Sequence, residues 1–305
     1  MLKRRSLISA GAMAGVGLLW RSVAATTAGM PILRAIPKSG ELLPAIGMGS
    51  WITFQVGDNP VELAVRREIL RTFFTNAGAV LDSSPMYGRA EAVLGQCIQQ
   101  LGSGVKPFRA TKVWILGRQF GINQMEHSEN LWGHGGFDLM QVHNLLDWDT
   151  HLPTLQAWKR AGRIRYVGVT TSHGRRHAEL EEIMGTQDLD FVQFTYNLAD
   201  RVAEARLLPL AAERGIAVII NRPFQQGGLF ERVRGRPLPG WAGEIGCMRW
   251  AQVFLKYIVS HPAVTCAIPA TSQVAHMAEN IAVLNGALPD QALRRRMVAD
   301  FENIV

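Results

Sequence analysis

The chain is short of several things at once. It has three cysteines, an odd number, and Cys97, Cys247 and Cys266 show no metal-ligand spacing. Nothing in that spacing asks for a disulfide framework or a metal centre. Cys97 and Cys266 sit among apolar neighbours, which suits small buried side chains. There is no internal repeat and no low-complexity linker, so one domain is expected. Acidic residues are missing from the first 25 positions, where Lys3, Arg4, Arg5 and Arg21 stand. Without those four the formal charge falls from +7 to 7 − 4 = +3. That residue of charge is small and dispersed, so neither nucleic acid nor an anionic membrane is expected as a partner.

The same N-terminal segment lacks an apolar run long enough to span a bilayer, which takes about 20 residues. A basic pair, Arg4-Arg5, is followed by a weakly apolar Ala/Gly/Leu run to about Trp20, with small-residue cleavage sites near Ala25 or Ala28. This pattern resembles a twin-arginine signal, which hands folded proteins to the twin-arginine export machinery. An ordinary secretory signal or an uncleaved anchor is the alternative. The expectation is a signal peptide over residues 1–28 and a barrel domain over 29–305. The mature protein would be periplasmic without stable membrane insertion, or cytoplasmic if the leader is not used. No lipobox cysteine is present, which argues against a lipoprotein.

What is present is ordinary for a soluble globular protein: 48% hydrophobic and 19% charged residues. Strand-like runs end at Gly49, Leu81, Lys112, His143, Val169, Thr195, Ile220 and Ile268. Helical patterns intervene at Val61–Asn76, Glu91–Leu101, Asn123–Leu131, Leu152–Ala161, after Arg175, at Ala203–Arg214, at Cys247–Ser260 and from Val274. Pro153 is expected in the first turn of its helix, where proline is tolerated. Eight strands alternating with helices predict an α/β fold, a single (β/α)8 TIM barrel. The doubly wound nucleotide fold is disfavoured: Gly47-Met48-Gly49-Ser50-Trp51 lacks the third glycine and does not open into a helix.

In such a barrel the residues at the C-terminal strand ends share one cavity. Asp82 closes the second run, Tyr87 lies in the loop beyond, Lys112 closes the third and His143 the fourth. A phenol near pKa 10 is a poor proton donor at neutral pH. An adjacent ammonium lowers that pKa, and Asp82 would keep a buried Lys112 charged. His143 could donate to a substrate oxygen. Each residue alone has a plainer reading: a turn signal at Asp82-Ser83-Ser84-Pro85, a solvated lysine, a satisfied core histidine. Four together, after consecutive strands, favour chemistry.

The mature chain resembles the aldo-keto reductases over essentially its whole length. The likeness rests on Gly47–Trp51, Leu81–Gly88, Ala110–Trp114, Asp138–His143, Val167–Thr171, Phe191–Asn197 and Ile268–Ser272 leading to Glu279-Asn280. The resemblance implies carbonyl reduction by a nicotinamide dinucleotide, with Tyr87 as proton donor and Asp82, Lys112 and His143 completing a catalytic tetrad. It implies Ser50, Thr170, Thr171, Gln193 and Arg222 as cofactor-binding residues, with Thr170, Thr171 and Gln193 at the carboxamide end, and Ser272, Gln273, Glu279 and Asn280 at the adenosine end. Thr171 stands where asparagine is usual, and the aromatic that often stacks on the nicotinamide is missing near Arg222. Arg222 could substitute through its planar guanidinium, or face elsewhere. NADP(H) is the family default over NAD(H), although Ala270 and His276 replace basic residues. Trp51, Trp114 and Asn144 are expected to line the cavity for a small carbonyl substrate. A dinucleotide-binding regulatory or sensor protein with little turnover is the rival reading.

Overall fold

The computed structural model describes residues 30–304 apart from residue 134, so the leader expected over residues 1–28 lies outside the described residues. An antiparallel hairpin comes first, β1 (Leu33–Ala35) and β2 (Leu42–Pro44). Eight parallel strands follow: β3 (Met48–Gly49), β4 (Val80–Asp82), β5 (Phe108–Val113), β6 (Phe137–Val142), β7 (Ile164–Thr170), β8 (Phe191–Thr195), β9 (Ala217–Asn221) and β10 (Cys266–Ala267). Each pairs with its neighbour in sequence, the arrangement that successive strand–helix crossovers produce. The ends of the sheet meet through a parallel bridge between Ile46 and Ala267. There Gly47 N–H donates to the Ala267 carbonyl at 2.8 Å and Ala267 N–H to the Ala45 carbonyl at 2.9 Å. The sheet closes, and the fold is the (β/α)8 barrel that the alternation implied.

The helices are α1 (Pro60–Thr75), α2 (Ala90–Leu101), α3 (Arg118–Trp132), α4 (Trp148–Arg160), α5 (His177–Thr186), α6 (Leu207–Arg214), α7 (Gly228–Arg232), α8 (Trp250–Val259), α9 (Val274–Ile281) and α10 (Gln291–Ile304). Helix α1 starts where its chemistry says it should. The Asn59 side chain accepts the N–H groups of Val61 and Glu62, and Pro60 occupies the first helical position. Elsewhere the boundaries differ from expectation. Helix α4 begins four residues earlier than its pattern suggested, so Pro153 lies in the second turn and leaves the Asp149 carbonyl without its usual donor. The stretch from Ala203 divides into a 3-10 turn, Val202–Glu204, and α6. The hairpin, α7 and α10 are additions. Among the described residues no helix is long and apolar enough to cross a membrane.

Two apolar clusters hold the barrel. One fills the space between strands and helices. The other fills the barrel interior near the hairpin, joining Ile36 and Leu43 to Val80, Phe108, Ala110, Leu139, Tyr166, Phe191, Ile219 and Cys266. Each large side chain fully buried there contributes about 1.5–3 kcal/mol of transfer free energy. Side chains two residues apart on a strand face the same side. Two residues beyond Val80, Ala110, Leu139, Phe191 and Ile219 stand Asp82, Lys112, Gln141, Gln193 and Asn221, so the interior turns polar toward its C-terminal end. Gly168 makes this possible on β7. A Cβ there would lie 2.8 Å from the Phe191 carbonyl oxygen and 3.2 Å from Cγ of Gln141. All three cysteines are free and buried, and burial pushes each thiol above its ordinary pKa, leaving them unreactive.

Candidate active site

The turn signal after β4 is real, and its product is the placement of Tyr87. Ser84 caps the 3-10 turn Pro85–Tyr87 by accepting the Met86 N–H at 3.2 Å, and Tyr87 ends that turn. Below it lies a buried ion pair. Lys112 Nζ donates to Asp82 Oδ2 at 2.5 Å and to the Ser83 carbonyl at 2.8 Å. The other Asp82 oxygen accepts from Gln141 at 3.1 Å and from Gln193 at 3.0 Å. A carboxylate out of reach of water needs this many donors. Burial disfavours the Lys112 ammonium, but Asp82, and then Tyr87, outweigh it and hold its pKa above the ordinary value.

The phenol departs from expectation. Lys112 Nζ sits 5.3 Å from the centroid of the Tyr87 ring and lowers its pKa, but burial raises it by more. The net shift is upward, not downward as the neighbouring ammonium alone suggested. Tyr87 therefore rests protonated, the state a proton donor to a carbonyl oxygen requires. His143, 5% exposed, is driven to a pKa of about 2 by burial and then by the charge of Lys112, so its imidazole is neutral. Its Nδ1 lies 2.8 Å from Ser84 Oγ. The Ser84 hydroxyl, which also accepts the Met86 N–H, has one hydrogen to give, and donating it to Nδ1 is the arrangement that puts the imidazole proton on Nε2. The two rings meet edge to face with centroids 5.6 Å apart. The site thus pairs two neutral hydrogen-bond donors at the barrel mouth, an arrangement suited to one oxyanion.

Above these residues is a chamber of about 400 Å³, whose walls include Trp51, Tyr87, His143, Asn144, Thr170 and Thr171. It shares Trp51, Tyr87, Gln193 and Arg222 with a second cavity of about 380 Å³. That cavity shares Phe224, Phe230, Thr271 and His276 with a third of about 370 Å³, which reaches Arg249, Glu279 and Asn280. Through these shared residues the three cavities form one groove running from the ion pair to α9. Two of its unspent polar atoms lie near the ion pair. Thr171 Oγ1 is buried without a hydrogen-bond partner, and Gln193 Oε1 has only a long contact with Asn221 at 3.4 Å. Together they offer what a carboxamide needs, a hydroxyl and an acceptor.

The expected residues fall mostly where the strand count put them. Asp82, Tyr87, Lys112 and His143 converge. Ser50 is fully buried, bonds to the Asp82 carbonyl at 3.0 Å and to Ser83 Oγ at 2.8 Å, and lines the groove. Thr170 accepts the Asn144 N–H at 3.0 Å. Gln193 has its amide nitrogen committed to Asp82, so only its oxygen is left for a ligand. Ser272 lines the middle of the groove and Glu279 and Asn280 its far end. Gln273, exposed at the start of α9, lines none of the three cavities. Trp51 and Asn144 line the chamber, but Trp114 does not. Its backbone is held by the Gln124 side chain at 2.6 and 3.2 Å, and its ring, 41% exposed, stands 6.4 Å from His143. Sequence reasoning missed Gln141, Ser84, Arg175 and Arg249. The first two carried a signal, since Gln141 lies two residues beyond Leu139 and Ser84 precedes Pro85. The arginines come from loops whose path no pattern displays.

Comparison with known proteins agrees with this geometry. Residues 45–296 match the model of the Aldo/keto reductase family. The methylglyoxal reductase YeaE of Escherichia coli is 29% identical over 271 residues, covering 85% of this chain and 92% of that protein. An NADH-specific methylglyoxal reductase of the same organism is 26% identical over 157 residues, 48% of this chain and 46% of that one. The crystal structure of an aldo/keto reductase from Klebsiella pneumoniae in complex with NADP and acetate superposes with a TM-score of 0.72 at 23% identity, covering 88% of this chain and 94% of that one. The chain belongs to the aldo/keto reductase family and is an NAD(P)H-dependent oxidoreductase of carbonyl groups.

Proposed function

We propose that Tyr87 protonates the carbonyl oxygen of a small aldehyde or ketone while His143 Nε2–H holds that oxygen in place, with Lys112 and Asp82 setting the charge around the phenol. The bound dinucleotide supplies hydride to the carbonyl carbon. Thr170, Thr171 and Gln193 would hold its carboxamide, with Ser50 beside them, and Ser272, Glu279 and Asn280 its adenosine end. The observation that carries this reading is that the orphaned Thr171 hydroxyl and the Tyr87–His143 donor pair face one chamber. The E. coli relatives named for methylglyoxal make α-oxoaldehydes the first substrates to try.

NADP(H) is the proposed partner over NAD(H). Arg249 and His276 flank the far cavity and are the groups a 2′-phosphate would meet there. Export through the twin-arginine machinery is proposed from Arg4-Arg5 and the acid-free leader. The test uses protein recovered from the periplasmic fraction, with dinucleotide binding followed by fluorescence and turnover by loss of reduced cofactor. Tyr87→Phe should lower kcat by about 100-fold or more and leave dinucleotide affinity within about twofold. Unchanged turnover in that variant sinks the role of Tyr87, tighter NADH binding sinks the cofactor preference, and purely cytoplasmic protein sinks export.

A further inference from the structure

The wall of the chamber facing away from the ion pair is cationic and short of partners. Arg175, Arg176, Arg222 and His173 line it, and no aspartate or glutamate does. Arg176 is spoken for, paired with Glu179 and bonded to the Asn144 carbonyl at 2.6 Å. Among the described residues the Arg175 side chain makes neither a hydrogen bond nor an ion pair. Arg222 donates Nη2 to Gln226 Oε1 at 3.2 Å, while its Nη1 is buried with no partner. A guanidinium nitrogen left buried and unpaired is destabilising until a ligand supplies the missing acceptor.

The two guanidinium groups also feel each other. Burial and then the nearby charge of Arg175 lower the Arg222 pKa, and Asp200 is the one carboxylate close enough to oppose them. The pKa of His173, also in the chamber wall, is lowered by burial and then by the charges of Arg222 and Arg175. The backbone is strained at the same place. Eight of the ten non-glycine residues with positive φ, among them Asn144, His173, Arg176 and Arg222, lie in the loops after β6, β7 and β9. Such strain concentrates at binding sites, where packing or a ligand compensates it.

We propose that Arg175 and Arg222 form an anion clamp for the substrate, so that the preferred carbonyl compounds carry a carboxylate or phosphate a few bonds from the reacting carbon. This rests on the reading of Tyr87 and His143 as the groups that hold the carbonyl oxygen, and it fixes the other end of the same molecule. Arg175 lines the chamber at its Tyr87–His143 end and neither of the two cavities that continue toward α9, which points the clamp at substrate. Two planar guanidinium forks match either anion, and neither is consumed by a protein carboxylate.

The experiment compares matched pairs of substrates on the whole enzyme with saturating reduced dinucleotide. Succinic semialdehyde is set against butanal, and glyceraldehyde 3-phosphate against glyceraldehyde. At least one anionic member should exceed its neutral partner in kcat/KM by tenfold or more, and Arg175→Gln and Arg222→Gln should each reduce that ratio at least fivefold. The pair that responds tells carboxylate from phosphate. A ratio near one in the unaltered enzyme overturns the clamp, as does a ratio that neither variant moves. If the variants instead raise the KM of the dinucleotide and leave the ratio intact, the arginines serve a cofactor phosphate and the proposal fails. A protein that turns over no carbonyl is tested by the quenching of tryptophan fluorescence with succinate or inorganic phosphate in the presence of dinucleotide. Binding that Arg175→Gln weakens keeps the clamp while discarding the reductase reading, and no binding discards both.

Discussion

The two sides of the reaction chamber are built on opposite plans. Around Asp82 and Lys112 nearly every polar atom has a partner inside the protein: both carboxylate oxygens, the ammonium, Ser50, and the Nδ1 of His143. Gln141 Oε1 is the exception. Around Thr171 and Arg222 polar atoms are buried and left over, and the exposed Arg175 side chain has no partner among the described residues. A saturated network keeps its geometry and its charges whether or not a ligand is bound, which is what a proton-donating site needs. An unsaturated one costs stability in the free protein and recovers it when a ligand arrives. The difference divides a single cavity into a saturated side and an unsaturated one.

The contrast breaks first at Lys112. Replacing it with methionine leaves Asp82 buried without its counter-charge, and unfolding free energy should fall by about 3–5 kcal/mol, read by urea denaturation. Turnover should fall about 100-fold or more. Adding Asp82→Leu should restore part of the stability and none of the activity. A single variant as stable as the parent shows that the pair is not the electrostatic unit described.

A smaller loss is expected at Ser84. Ser84→Ala removes the hydrogen bond that directs the His143 proton to Nε2, and kcat/KM should drop by about five- to tenfold, the worth of one buried hydrogen bond. The pH dependence of the variant decides the cause. If His143 merely repositions, the profile keeps the shape of the parent.

On the receptor side the sign of the stability effect reverses. Thr171→Val trades an orphaned buried hydroxyl for a methyl group of similar shape, so the ligand-free protein should be equally or more stable. Dinucleotide affinity should weaken by about 1 kcal/mol, roughly fivefold, in a fluorescence titration. Lower stability in the free variant contradicts the idea that this hydroxyl is reserved for a ligand.

The smallest effect concerns pH. The His143 pKa falls from an ordinary 6.5 to about 2 in the folded protein, so below pH 6.5 the unfolded chain binds a proton that the folded one does not. The stability tied to this group is complete above that pH and declines as pH falls. Reduction itself should stay flat from about pH 5 to about pH 9, since His143 remains neutral and Tyr87, its pKa raised, remains protonated. A titration in the rate near neutrality assigns a different acid to the reaction.

Much of the fold is legible in the sequence itself. The alternation of runs determined the closed sheet, because a parallel strand needs a crossover and eight of them bring the ends together. The strand ends brought Asp82, Lys112 and His143 to one rim, since strand periodicity and barrel closure leave little freedom at those positions. Pro85 after Ser84 marked the turn that carries Tyr87. What the tertiary structure alone decided is balance and adjacency. Whether the phenol of Tyr87 moves up or down depends on how burial compares with the charge of Lys112, and burial is a property of the assembled barrel. Whether Arg175 and Arg222 have partners depends on where three separate loops run, and loop paths follow packing rather than any pattern in the chain.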